Sequence, residues 1–355
     1  MEELFSFRTD RLTSRLQALL FSWRYARKFN ARCTFIWPKP RAEYIADDTE
    51  HYEFSRIFDL PQLYAQSPDL RVADGPIPKQ FQRLWKKHGS QIGKNPVVES
   101  LDAFRMGHFH VNGALLAFRT PDEDATQVLD ASARLFAELP IRQRMLNLVE
   151  KEDPAEFTAI HIRRGDLVPY GREILRAYTK QDWPRMRAKF RMLMAKTVPL
   201  TAYREYLKEV RKPALFFSDD ETVAQSLCSE AGAPGSRVYR TPKGHLYPIE
   251  RDFVSMLVMG RCKEVVGGGS VYARFAARTQ GSEQRDLRAI THWRDYVDMI
   301  WDECLSPEQD AEFYENREKY STGLIEALRS DEAYLKSSIR ITKRAQKLAP
   351  PELSG

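Results

Sequence analysis

The stretch Phe157-Thr158-Ala159-Ile160-His161-Ile162-Arg163-Arg164-Gly165-Asp166 narrows the folds open to this chain more than any other. A short apolar, β-branched run follows Pro154 and ends in His, two Arg, Gly and Asp. Such a run reads as a buried strand feeding a loop. In open α/β sheets, ligands sit just outside the carboxyl ends of strands. Arginine offers a planar fork that holds two oxygens at once, so a loop of this composition suits a diphosphate better than an apolar ligand.

The residues that follow repeat the same alternation. After the polar boundary Glu150-Lys151-Glu152-Asp153-Pro154, strands are predicted over 157–162, 214–218 and 264–267, with an edge strand over 237–240. Helices are predicted near 200–210, 220–231 and 250–261. Repeating β-α units imply a mainly parallel sheet with helices on both faces. The segment 170–198 is basic, Met-rich and too long for an ordinary loop, and reads as an inserted helical lid.

Upstream of the boundary the pattern is looser. Leu12, Leu16, Leu19, Leu20 and Trp23 recur at helical spacing and lead into a strand at 33–37, stopped by Pro38 and Pro40. A short helix is expected around 54–60, a loop-rich stretch over 62–96, and further strand at 108–111 and 114–118. Two helices separated by Pro140 fill 125–150. The chain therefore reads as three parts: 1–150, 151–305 with its insertion, and a charged helical extension over 306–355 that Pro350-Pro351 closes.

Composition removes several classes. With 355 residues, 43% hydrophobic and 29% charged, the chain can bury a large core and reads as soluble and globular. Cys33, Cys228, Cys262 and Cys304 lie far apart, which argues against a zinc site or disulfide framework and fits a reducing compartment. No basic-then-apolar leader begins the sequence and no run of about 18 apolar residues occurs, so neither a signal peptide nor a membrane span is expected. The net charge of +6 and pI near 9.0 favour anionic partners in general. Cations and aromatics do not gather on one recognisable module, so no nucleic-acid partner is expected.

Three strand ends could carry chemistry: His161 to Asp166, Ser218-Asp219-Asp220, and Gly267-Gly268-Gly269-Ser270 at the start of a helix. Glycines let a backbone approach a ligand, and a helix N-terminus attracts phosphate. Asp252 adds a carboxylate able to accept paired N–H donors, as a guanine edge presents. Plain structural roles compete with each. Asp219 and Asp252 could cap helices, Arg164 could pair with Asp166, and the glycines could form a tight turn. The acidic run Asp122-Glu123-Asp124 looks like a metal-binding D-x-D but stands where an acidic helix start would. The basic residues Lys336, Arg340, Lys343, Arg344 and Lys347 read as a solvated helix face, with contact at an anionic membrane face as the alternative.

His161-Ile162-Arg163-Arg164-Gly165-Asp166 resembles the H-x-R-R-x-D motif of the fucosyltransferase superfamily, the group of α1,6-fucosyltransferases and protein O-fucosyltransferases. Phe217-Ser218-Asp219-Asp220 is similar to that family's second motif, and Asp252 through Gly267 to Arg274 to its third. The resemblance spans about 157–278, with a fainter echo over 11–60. It implies a GT-B-like α/β fold of two Rossmann-like domains facing a cleft. It also implies a GDP-sugar donor, inversion at the anomeric carbon and no cofactor or required metal. By position Arg163 would hold the β-phosphate, His161 the guanine side, and Asp252 would read guanine. Gly269 and Ser270 would meet the phosphates, Asp219 and Asp220 would shape the nucleoside pocket, and Arg15 would match a family arginine. The family's Gly-rich loop is replaced here by Thr9-Asp10-Arg11-Leu12-Thr13-Ser14-Arg15. Near the family's acidic base stands Gly171, so Asp166 and Glu173 become the candidate bases beside Arg163. The implied activity is transfer of fucose or a related deoxyhexose from GDP to a glycan or lipid-linked saccharide. The scattered cysteines and the missing leader set the expected place as the cytoplasm, with peripheral contact at the inner membrane face open to it. A silent GDP-sugar-binding protein and a transferase using another nucleotide sugar are the alternatives.

Overall fold

Ten strands form two five-stranded sheets among the described residues, which are 1–39, 51–92, 97–114, 117–165, 168–241 and 246–329 of this computed structural model. The chain divides into two units. The first comprises Met1–Asp153 with Arg240–Val258 and Arg278–Gln280. The second comprises Pro154–Tyr239, Met259–Ala277 and the chain from Gly281 onward.

The first sheet holds β1 (Glu3–Phe7), β2 (Arg32–Trp37), β3 (Leu70–Asp74), β4 (Arg105–Met106) and β5 (Phe109–Asn112) in the order β3-β2-β1-β5-β4. All pairings are parallel except the β4–β5 hairpin. The helix Leu12–Lys28 is buried from Leu12 to Ala26 apart from two positions, Ser14 and Gln17, with Arg15 and Arg24 among the buried residues. A helix wetted on so little of its surface must be covered on most sides. It ends at Phe29, and Asn30 turns the chain back with φ of 51°.

The second sheet holds β6 (Thr158–Ile162), β7 (Ala214–Ser218), β8 (Arg237–Val238), β9 (Glu264–Gly267) and β10 (Glu283–Asp286) in the order β10-β9-β6-β7-β8, parallel throughout. Ile160, Ile162, Phe216 and Val266 pack one face under the helices Leu200–Glu209 and Glu221–Glu230. The expected pair of Rossmann-like α/β sheets is thus present. No described helix is long and apolar enough to cross a membrane, and all four cysteines are free thiols.

Several expectations need correction. The stretch 62–96 is not loop-rich: it holds the end of the helix Leu60–Gln66, then β3 and the helix Lys79–Ile92. β3 is an edge strand with Leu70 and Val72 buried and Arg71 exposed, so its sequence looks polar. The helix Lys79–Ile92 hides Phe81 among lysines and glutamines. β1 escaped the sequence reading. Ala114, Ala117 and Phe118 are not strand, and Phe118 packs edge-on against the Tyr25 and Phe104 rings; residues 115 and 116 lie outside the described set.

The segment 170–198 forms the helices Val168–Thr179 and Trp183–Lys196, the second capped by the Asp182 carboxylate on the Arg185 N–H at 3.2 Å. They are no detachable lid. Ile174, Phe190 and Leu193 are fully buried with Ile300, Trp301 and Leu324 of the helices Asp295–Glu303 and Arg317–Arg329. Lifting them would return that apolar surface to water at about 25 cal/mol per Å2. The basic residues 336–347 lie outside the described set.

Candidate functional site

Strand order locates the crevice in the second unit. From β6 the chain moves outward through β7 to β8, then returns to β9 on the other side of β6 and on to β10. The order therefore reverses between β6 and β9, and such switch points leave room for a ligand at the strand ends. His161 pairs with Gly267 and Phe217, and Ile162 with Ser218, so the three flagged loops leave the sheet side by side.

The β6 loop is held from several sides. Arg164 is 4% exposed, and its guanidinium reaches the Glu303 carboxylate and donates to the Glu303 carbonyl at 3.0 Å. Its backbone N–H donates to Asp219 at 2.8 Å. A Cβ on Gly165 would stand 2.6 Å from the Asp219 carboxylate, so a side chain there would push the two loops apart. The Arg163 carbonyl accepts from the Thr197 hydroxyl at 3.2 Å, and the His161 carbonyl from the Tyr203 hydroxyl at 2.8 Å. Arg164 and Asp219 thus fix the backbone that presents Arg163, whose side chain stays half-exposed. Arg164 pairs with Glu303; Asp166, weighed from sequence as its partner, lies outside the described residues.

His161 is neutral at pH 7. Burial of its ring, helped by Arg163 and opposed by Asp219, pulls its pKa down to about 4. Its Nδ1 is buried without a hydrogen-bond partner, and Tyr272 packs beside the ring at 5.9 Å. Asp219, weighed as a helix cap, leaves that task to Asp220, which accepts the Val223 N–H at 3.1 Å. Asp219 itself is exposed beyond its bond to the β6 loop.

The triple glycine opens the helix Val271–Gln280, with Ser270 buried at its N-cap and making no side-chain cap. The close approach it permits is to the protein itself. A Cβ on Gly269 would collide with the Ala195 carbonyl and the Arg288 guanidinium. Arg288, which the sequence reading missed, donates to Ala195 O at 2.7 Å and forks onto Asp286, placing a cation beneath the glycine loop. Its only sequence signal is the neighbouring Asp286.

The other flagged residues belong to the first unit. There the strand order reverses between β1 and β5, and Thr9 to Arg15 follows β1. Arg15 is fully buried, donates to the Asp10 and Pro38 carbonyls at 2.5 Å each, and lies 5.3 Å and 5.0 Å from the Trp37 and Tyr52 ring centres. Burial lowers its pKa to about 10, partly offset by Tyr52, Asp10 and Asp74, so it stays charged at pH 7. Tyr52, also missed from sequence, donates from its hydroxyl to Asp252 at 3.3 Å. Burial, with Asp252 adding to it, keeps that phenol protonated. Arg15 and Asp252, 237 positions apart in sequence, are therefore joined through one tyrosine. Asp252 is no helix cap: Glu250 accepts the Tyr247 N–H ahead of the helix Pro248–Arg261.

Glu173 stands apart from the β6 rim contacts. It lies on the helix Val168–Thr179, paired with Lys189 at 2.8 Å and Arg185 at 3.6 Å. The Lys189 hydrogen bond chiefly holds its pKa below the usual carboxylate range, which weakens it as a base. The D-x-D-like run is structural: Asp122 holds Lys28, Glu123 holds Arg24, and Asp124 caps the helix Ala125–Ala137 in a capping box with Gln127.

No protein-family model matches the chain, and no curated protein matches it. Among solved structures it is similar to the fucosyltransferase NodZ from Bradyrhizobium, at 12% identity and a TM-score of 0.47, over 78% of this chain and 92% of that one. It is also similar to the NodZ alpha-1,6-fucosyltransferase soaked with GDP-fucose, at 11% identity and a TM-score of 0.49 over 78% and 92%. The same protein co-crystallised with GDP gives 12%, 0.48, 78% and 91%. These are likenesses of fold.

Proposed function

We propose that the chain is an inverting glycosyltransferase that moves fucose or a related deoxyhexose from a GDP-sugar to a glycan or lipid-linked saccharide. The observation that carries this reading is the β6 rim. Arg164 and Asp219 are consumed in fixing a loop at the sheet's switch point, and that loop presents Arg163 beside a glycine-led helix N-terminus. A departing nucleoside diphosphate needs fixed positive charge where its own charge develops, and preorganised electrostatics of this kind commonly contributes more to catalysis than any other effect. In this reading Arg163 meets the β-phosphate, Ser270 and the backbone at Gly269 meet the phosphates, and His161, as a neutral ring, lies on the nucleoside side with Asp219 and Asp220. Within the first unit, Tyr52 meets both Arg15 and Asp252 and orients that carboxylate. Asp166 is the candidate base, since Glu173 is tied to two cations.

Arg163→Ala tests it. Losing a charge-assisted contact of about 1.5–3 kcal/mol predicts GDP binding weaker by about ten- to a hundredfold, and comparable loss of transfer, with thermal unfolding unchanged. Titration calorimetry with GDP, UDP, CMP and dTDP should give binding for GDP alone. Unchanged GDP affinity in the variant removes Arg163 from its role. A second reading, a silent GDP-sugar binder, draws support from the ion-paired state of Glu173 and predicts GDP binding without donor turnover.

A further inference from the structure

We propose that the helical pair Val168–Thr179 and Trp183–Lys196 of the second unit is a docking surface for an anionic lipid bilayer; this holds whether or not the chain transfers a sugar. Charge marks the surface first. From Val168 to Lys196 there are eight lysines and arginines against two carboxylates, Glu173 and Asp182, a net of +6. The whole chain has a net charge of +6, so everything outside this pair sums to zero. Both carboxylates are engaged within the pair. Glu173 is shared between Lys189 at 2.8 Å and Arg185 at 3.6 Å, and Asp182 accepts the Arg185 N–H at 3.2 Å as a helix cap.

The cations are not all equal. Arg172 is answered by Asp310, through hydrogen bonds at 2.5 Å and 2.8 Å, and Arg187 reaches the Ala327 carbonyl at 3.4 Å. Arg176, Lys180 and Arg185 are exposed and gather where the first helix turns into the second. That turn is tight: Gln181 takes φ of 57°, and the Asp182 N–H donates back to the Ala177 carbonyl at 2.9 Å. The inner faces of both helices are locked, with Ile174, Phe190 and Leu193 fully buried. The cationic tip is therefore presented without an ordering step, which lowers the cost of docking.

Charge alone suits any polyanion; apolar exposure selects a bilayer. Five large apolar side chains are exposed among the described residues, and two of them, Trp183 at 38% and Met192 at 37%, stand on the second helix of this pair. Trp183 sits at the tip, edge-on to the Tyr178 ring at 5.7 Å. Tryptophan favours the headgroup level of a membrane, where its ring is half wet. Along the outer face Arg185, Ala188, Met192 and Ala195 recur at helical spacing, all exposed, with no acid among them. Interfacial helices combine such apolar positions with cations whose stems lie along the acyl boundary while their heads stay in water. A nucleic acid or an acidic protein would answer the charge but offers Met192 and Trp183 no acyl layer to enter.

The test is flotation of the full chain with phosphatidylcholine vesicles, with and without phosphatidylglycerol, alongside GDP calorimetry on the same preparation. The expected result is binding to the phosphatidylglycerol vesicles alone, released near 1 M salt, where the Debye length falls to about 3 Å. The double variant Lys180→Ala/Arg185→Ala should bind them about 25-fold more weakly, about fivefold per cation. Trp183→Ala should bind them about tenfold more weakly. All three positions are exposed, so thermal unfolding and GDP affinity should match the unsubstituted chain. Absence of vesicle binding, equal binding to neutral vesicles, or binding indifferent to the double variant overturns the surface. Binding that responds to the double variant but not to Trp183→Ala is contact through charge only, and overturns the bilayer as its partner. Vesicle binding as expected in a chain that does not bind GDP supports the surface and removes the transferase reading instead.

Discussion

Among the described residues each unit has one nearly buried Arg–Glu pair, and the two behave oppositely. In the first unit Arg24 meets Glu123 at 2.5 Å, with side chains 7% and 15% exposed. In the second Arg164 meets Glu303, with side chains 4% and 8% exposed. Burial pushes the Glu303 carboxyl above the ordinary range, and Arg164 with the Leu200 N–H only partly offsets that. Burial acts in the same direction on Glu123. There the Thr120 N–H at 2.9 Å, Arg24, the Thr120 hydroxyl at 2.7 Å and Lys28 at 3.1 Å outweigh it and hold the pKa at about 2. An ion pair alone does not decide whether a buried carboxylate is comfortable; the number of further donors does.

The comparison breaks first at Arg164. Arg164→Met should cost about 3–5 kcal/mol in denaturant unfolding, because it strands Glu303 with a single described donor beyond its partner. Adding Glu303→Leu to that variant should recover part of the loss, and a double variant no more stable than the single would refute the stranded-charge account. Arg24→Met should cost less, on the order of 1–3 kcal/mol, since Glu123 keeps Thr120 and Lys28. Equal losses at both arginines would erase the distinction.

Those partners also mark where sequence reasoning stops. The strands β6, β7 and β9 were legible because buried parallel strands read as short apolar runs with Gly or Asp at their ends. β1 and β3 were not, because polar residues interrupt their apolar ones, Glu3 and Ser6 in the first, Arg71 and Asp74 in the second. His161, Arg163, Asp219 and Ser270 could be assigned to strand ends from local pattern alone. Glu303 lies 139 positions from Arg164, and Tyr52 lies 200 from Asp252; no local pattern announces such partners. The lid reading of 170–198 failed for a related reason. Its basic residues are conspicuous in sequence, while the apolar face of Ile174, Phe190 and Leu193 is explained only by the helices beyond 295 that cover it.

The smallest effect sharpens the contrast through its sign. Glu123 binds its proton less readily folded than unfolded, so the stability it contributes is fully present above its ordinary 4.5 and is lost as pH falls toward 2. Glu303 is shifted the other way: its carboxylate disfavours the folded state as pH rises from 4.5 through the raised folded value. One proton changes stability by no more than about 1.4 kcal/mol per pH unit. Urea unfolding of Glu123→Gln and Glu303→Gln at several pH values isolates each group by difference from the unsubstituted chain. The deficit of Glu123→Gln should shrink on acidification below about pH 5. Glu303→Gln should gain relative to the unsubstituted chain as pH rises above that point. Slopes of the same sign would mean that the extra donors around Glu123 do not outweigh its burial, and that the two pairs differ only in depth.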